Sequence, residues 1–189
     1  MRSSRATLCL MRILIFLLLC VVPISAQSLS GRRAPSFSLP DSSTAQHDIL
    51  DYRGKWLLLD FMRTDCPHCL ALSRVLEQVK SQFGTQVAIL SIVVAPPENT
   101  NTVGRYLMDN KLTTSIVFDQ GQVAASYFKL TPSRSSYDTP HLFAVNPAGN
   151  IVKDWSDAAA GTEILEGGGL VRELQALMGG GAKPAAGQK

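Results

Sequence analysis

Residues 55–69, KWLLLDFMRTDCPHC, constrain the fold more than any other stretch of this 189-residue sequence. Residues 55–62 form a short apolar run, the pattern of a strand covered on both faces. From Cys66 onward the apolar positions Leu72, Val75, Leu76, Val79 and Phe83 follow helical spacing. Asp65 is placed to cap that helix, and Pro67 suits its first turn, where a missing N–H costs nothing. Gly84 ends it. A buried strand therefore runs into a helix whose first turn carries two cysteines.

The rest of the chain repeats the alternation. Residues 27–33 are polar and are expected to be a flexible leader. Residues 37–39 and the segment to about Tyr52 read as extended pieces joined by the turn-rich stretch 40–44. Strands are expected at 87–94 and 115–118, and helices at 102–110 and 122–129. Two more strands, 141–145 and 151–155, flank Asn146-Pro147-Ala148-Gly149-Asn150, a hairpin signal. A last helix occupies 162–178, interrupted or delayed by three glycines at 167–169, and the tail 179–189 is expected to be disordered. The order describes a single α/β domain over 34–178, with a mixed sheet and helices on both faces.

Charge and cysteine usage depend on the first segment. Residues 1–26 hold Arg2, Arg5 and Arg12 and no acid, then an apolar run over 13–22, Pro23 and the small residues Ser25 and Ala26. This is the layout of a secretory signal peptide cut after Ala26, with an uncleaved N-terminal anchor through 13–22 as the alternative. The run is short for a membrane span, which needs about 20 residues. Of 18 basic residues, removing the three leader arginines leaves 15 against 15 acidic ones. The remaining chain is formally neutral, so no basic field supports binding to nucleic acid. Cys9 and Cys20 leave with the leader, and only Cys66 and Cys69 remain, in an exported protein whose compartment permits disulfides.

Cysteines three apart at a helix start can close a small disulfide, Cys66–Cys69, because one turn brings their side chains together. Cys66 lies at the N-terminus, where unpaired N–H groups and the helix dipole stabilise a thiolate, the attacking species in disulfide exchange. Cys69, one turn deeper, can resolve a mixed disulfide by intramolecular attack. His68, when protonated, adds positive charge that favours the thiolate, so Pro67 and His68 tune the pair.

The segment from the strand through Cys66-Pro67-His68-Cys69 resembles the thioredoxin-like thiol–disulfide oxidoreductases of the TlpA group. Ala34-Pro35-Ser36-Phe37-Ser38-Leu39-Pro40 and Leu50-Asp51-Tyr52-Arg53-Gly54-Lys55 are similar to the N-terminal extension of that group and of the related peroxiredoxins. Thr139-Pro140 matches the family's cis-proline loop. The resemblance, from Ala34 to Trp155, implies a thioredoxin-like fold and periplasmic placement. It implies exchange with thiol- or disulfide-containing proteins, without a cofactor or a bound metal. A membrane redox partner for recycling and a monomeric state belong to the same expectation. It also implies that Thr139 and Pro140 align a substrate strand, and that Asp60, six residues before Cys66, is a buried acid able to take the proton of Cys69. A solvated acid near a strand end is the equal alternative for Asp60.

The sequence departs from the family at two places. Asp65 stands where tryptophan usually precedes the first cysteine, and its charge opposes thiolate formation. A polar loop, 131–138, precedes the proline and reads as a tolerated insertion in preference to the wall of a partner groove. Three rival functions fit these residues less well. Zinc binding needs four ligands, and only His47, His68 and His141 stand beside the pair; His47 reads as a surface residue and His141 as a strand histidine. Copper-delivery relatives space their cysteines by three residues. A thiol peroxidase needs proline and threonine where this chain has Leu59 and Arg63.

Overall fold

The computed structural model describes residues 28–179, apart from the side chains of 157–160. The expected leader peptide and the tail after 179 lie outside the described residues. The described residues hold eight strands: β1 (Arg32–Arg33), β2 (Ser38–Pro40), β3 (Gln46–Asp48), β4 (Trp56–Phe61), β5 (Val87–Val94), β6 (Ser115–Asp119), β7 (His141–Val145) and β8 (Asn150–Ser156). The described residues also hold five α-helices: α1 (Pro67–Phe83), α2 (Thr100–Asn110), α3 (Gln122–Phe128), α4 (Asp157–Leu165) and α5 (Gly169–Gly179).

Six strands form one sheet in the order β1-β8-β7-β4-β5-β6. β4 pairs in parallel with β5, and β5 with β6, while β7 and β8 run antiparallel. The parallel neighbours of β4 and β5 are reached through helical crossovers, and this fills both faces of the sheet. Strand alternation then decides which side chain meets which helix. Leu57, Leu59 and Phe61 face α3 and the N-terminal extension, where Tyr127, Phe128, Phe37 and Ile49 close the core. Leu58 faces Leu72, Leu76 and Val79 of α1, together with Leu165, Leu170 and Leu174 from the C-terminal helices. Met62 joins Cys69, Val103 and Tyr106 in a smaller cluster beneath the start of α1.

Three expectations are corrected. The 27–33 segment is not merely a leader: Arg32 and Arg33 pair with Ile151 and Asn150 as the edge strand, and the Arg32 guanidinium donates to the carbonyl of Leu29 at 2.9 Å. The single helix over 162–178 is two helices. The first starts at Asp157, is broken at Gly161 (φ 68°) and stops before the 167–169 glycines. Its backbone there leaves no room for a Cβ, since one built on Gly167 would lie 2.8 Å from the carbonyl oxygen of Glu163. Finally, Asp65 does not cap α1. Cys66 holds the cap position in extended conformation, and Asp65 turns outward.

Candidate active site

β4 delivers the site. Its ladder extends past Phe61, because the N–H of Met62 donates to Ile92 at 3.0 Å, and the chain then turns through residues 63–65 into α1. Cys66 caps the helix with its own sulfur: Sγ accepts the N–H of Cys69 at 3.2 Å. A helix N-terminus holds unsatisfied N–H groups, so the half-buried Cys66 sulfur sits where a thiolate gains hydrogen bonds and dipole. Cys69 is fully buried, and that burial pushes its thiol well above the ordinary range. Both cysteines are free thiols in this structure. One sulfur is accessible and the other is held back as a thiol.

On the open side of Cys66, the carbonyl oxygen of Thr139 lies 3.9 Å from its Sγ, and the peptide between Thr139 and Pro140 is cis. Thr139 is half-buried and Pro140 buried, so the family-implied loop and the cysteine meet across 73 residues of sequence.

Beneath Cys69, alternation along β4 turns Asp60 to the same face as Leu58 and Met62, under α1 and α2. The carboxyl is fully buried. Its Oδ2 accepts the hydroxyl of Ser91 at 3.2 Å, from the residue directly opposite on β5, and Oδ1 has no partner. Desolvation raises its pKa from 3.8 to about 7, against a small lowering from Ser91. Asp60 is therefore not a solvated acid at a strand end. Its charge acts on Cys69 directly.

The residues around the pair differ from expectation. The His68 ring meets the carboxylate of Glu166 at 2.5 Å, so the chain between α4 and α5, and not Cys66 alone, faces any charge the ring carries. Asp65 is answered too. Arg63 donates two bonds to it, at 3.0 and 2.7 Å, and holds its carboxyl below the ordinary range. Pro67 occupies the first helical position, exposed. His47 is no simple surface residue, as its ring bridges Tyr52 (3.0 Å) and Asp41 (3.1 Å). His141 stays in its strand, 3.1 Å from Asp154 and edge-on to Phe128. Among the described residues no group of three His, Cys, Asp or Glu is arranged to hold a metal ion.

Sequence reasoning missed four polar residues here. Ser91 was readable as the one hydroxyl in an apolar strand. Ser73 and Tyr106 share a buried bond of 2.8 Å beside Cys69, and burial lifts the Tyr106 phenol to about 12. Glu98, buried against the turn that leads to Cys66, carries no motif.

The chain resembles known proteins over this same architecture. It is 28% identical over 98 residues to the thioredoxin-like protein YneN of Bacillus subtilis (strain 168), covering 51% of this chain and 58% of that protein. It is 25% identical over 124 residues to the thiol-disulfide oxidoreductase ResA of the same organism, covering 65% of each. The chain thus spans less than two thirds of the length of these curated relatives. The structure superposes on the thioredoxin domain of a thiol-disulfide oxidoreductase from Bacteroides vulgatus with a TM-score of 0.58 at 17% identity, covering 73% of this chain and 96% of that one. That likeness makes the fold thioredoxin-like. The AhpC/TSA family model matches residues 30–154, from the edge strand through the cysteine pair and the cis-proline loop into β8, and to this family the chain belongs.

Proposed function

We propose that this protein is an exported thiol–disulfide oxidoreductase acting on protein substrates through Cys66 and Cys69. The observation that carries the reading is the asymmetry of the pair. An accessible sulfur caps a helix beside the Thr139 carbonyl, and a buried thiol waits one turn below. In the reductive direction the Cys66 thiolate attacks a disulfide sulfur of the partner. A Cys66–partner bond forms, the partner's S–S bond breaks, and one partner thiolate leaves. Cys69 then gives up its proton and attacks Cys66 Sγ. This closes the Cys66–Cys69 disulfide and expels the second partner thiolate. The partner gains two electrons and the protein loses two. The oxidative direction is the same path reversed.

Asp60 takes the proton of Cys69 in this scheme, because it is ionisable near neutrality and acts on that thiol from below. Thr139 and Pro140 align the partner backbone, in the manner of strand addition. Pro67 and His68 tune the pair. The chemistry uses sulfur alone and needs no cofactor. Residues 34–178 form the catalytic domain, 1–26 direct export to the periplasm, and a membrane redox partner restores the starting state of a monomeric protein. The peroxidase reading is less favoured: Leu59 is buried in the sheet, and Arg63 is paired to Asp65.

The test uses Cys69→Ser, which keeps the attacking sulfur and removes the resolving one. Mixed with insulin, reduced Cys69→Ser is expected to accumulate a disulfide-linked species through Cys66 that a reductant dissolves. If neither this variant nor the wild-type protein exchanges disulfides with insulin, the proposal fails.

A further inference from the structure

We infer that Glu98 is a positioning residue for Cys66, acting through Thr64; the inference rests on the exchange reading above. Glu98 follows β5 and is only 7% exposed. Its carboxylate collects donors from two sides. The Thr64 N–H donates to Oε1 at 2.8 Å, and the Thr64 hydroxyl lies 3.0 Å from Oε1 and 2.9 Å from Oε2. From the other side the Thr102 hydroxyl donates to Oε2 at 2.6 Å. Taking a carboxylate out of water is expensive unless its oxygens are hydrogen-bonded, and bonds to an ionised acceptor are the strong ones. A carboxylate so placed is a structural tie.

The tie joins two elements that matter to Cys66. Thr64 lies in the turn before the nucleophile, and the N–H of Cys66 closes that turn on the carbonyl of Arg63 at 3.4 Å. Fixing Thr64 therefore fixes the direction from which Cys66 enters α1 and offers its sulfur to the Cys69 N–H. The other end is anchored on the start of α2. There Asn99 caps the helix, accepting from the N–H groups of Asn101 (3.0 Å) and Thr102 (3.2 Å), and the Thr102 hydroxyl accepts the Asn99 N–H at 3.0 Å. The turn of the nucleophile is thus pinned to a neighbouring capped helix rather than left to its own bonds. Reactive groups need such support, because small displacements weaken the bonds that activate them.

The readout is alkylation of Cys66 by iodoacetamide in the reduced full-length protein, followed across the thiol titration range by peptide mass. Glu98→Ala is expected to slow alkylation at neutral pH several-fold and to move the midpoint of the profile upward, because the thiolate loses its N–H partner. Glu98→Gln keeps an oxygen for the Thr64 N–H and is expected to recover most of the rate. An unchanged profile in Glu98→Ala overturns the inference. So does a Glu98→Gln profile shifted as far as that of Glu98→Ala, since charge rather than position would then be responsible. Should Glu98→Ala fail to fold, Thr102→Val removes the hydroxyl that holds the carboxylate, along with its bond to the Asn99 N–H; slower alkylation is expected, and an unchanged profile overturns the inference. Insulin exchange by the wild-type protein is measured alongside. Its absence sinks the functional reading, whereas intact exchange with unshifted profiles sinks only the role of Glu98.

Discussion

Cys66 and Cys69 are the same residue type one helical turn apart, and their surroundings give them opposite characters, one accessible and one buried. Burial holds Cys69 as a thiol, so the resolving step of the proposed exchange needs an acceptor, for which Asp60 is the acid beneath it. The cost of keeping Asp60 there is readable in stability. Its folded pKa of about 7 exceeds the ordinary 3.8, so the folded protein holds this proton more tightly than the unfolded chain does. Stability from this group is complete below 3.8 and is lost as pH rises to about 7, a fall of roughly 4 kcal/mol. Asp60→Asn is therefore expected to unfold at higher urea than wild type above neutrality, with the gain shrinking in acid. The same variant should resolve a mixed disulfide at least about 10-fold more slowly. A urea gain that is equal at both pH extremes would show that Asp60 ionises normally.

At the scale of elements, the active-site helix was legible because its apolar spacing and its Pro67 are local signals. Its cap was not. Aspartate is a preferred cap, yet Asp65 is claimed by Arg63, and the cap position passes to the Cys66 sulfur, which accepts the Cys69 N–H. The 131–138 loop, read from sequence as a tolerated insertion, has one residue that does more. Tyr137 stacks on Phe128 with ring centroids 4.0 Å apart and, two residues before Thr139, lines a cavity with Met62, Arg63, Val94 and Pro97. Stacking of this kind contributes about 0.5–1.5 kcal/mol beyond the area it buries. Tyr137→Ala is expected to leave the reaction of Cys66 with a small disulfide reagent unchanged while raising the KM for insulin several-fold. Equal loss with both substrates would mean that the loop supports the cysteine itself rather than the partner.

For the molecule as a whole, strand positions were the most legible part. Apolar runs such as Val87–Val94 have few alternatives in an α/β chain, and the glycine hairpin fixes the order of β7 and β8. What depends on distant pairing was not legible. Nothing local says that Arg32–Arg33 will close the sheet against β8, or that His68 will meet Glu166 across 98 residues. Asp60 stood out only through the family resemblance. Its partner Ser91 follows from the register of β4 on β5, and register is a property of the assembled sheet. The N-terminal extension and the C-terminal helices cover opposite faces, so the cysteine pair opens at one end of a closed core. Whether Cys66 and Cys69 act as one redox couple is decided by equilibrating the protein in glutathione buffers of graded ratio, with both cysteines followed by peptide mass. The predicted result is a single two-electron transition, about 30 mV per tenfold change in the equilibrium constant, in which both thiols disappear together into an internal disulfide. Cysteines that titrate independently, or that stay reduced under oxidising glutathione, would contradict it.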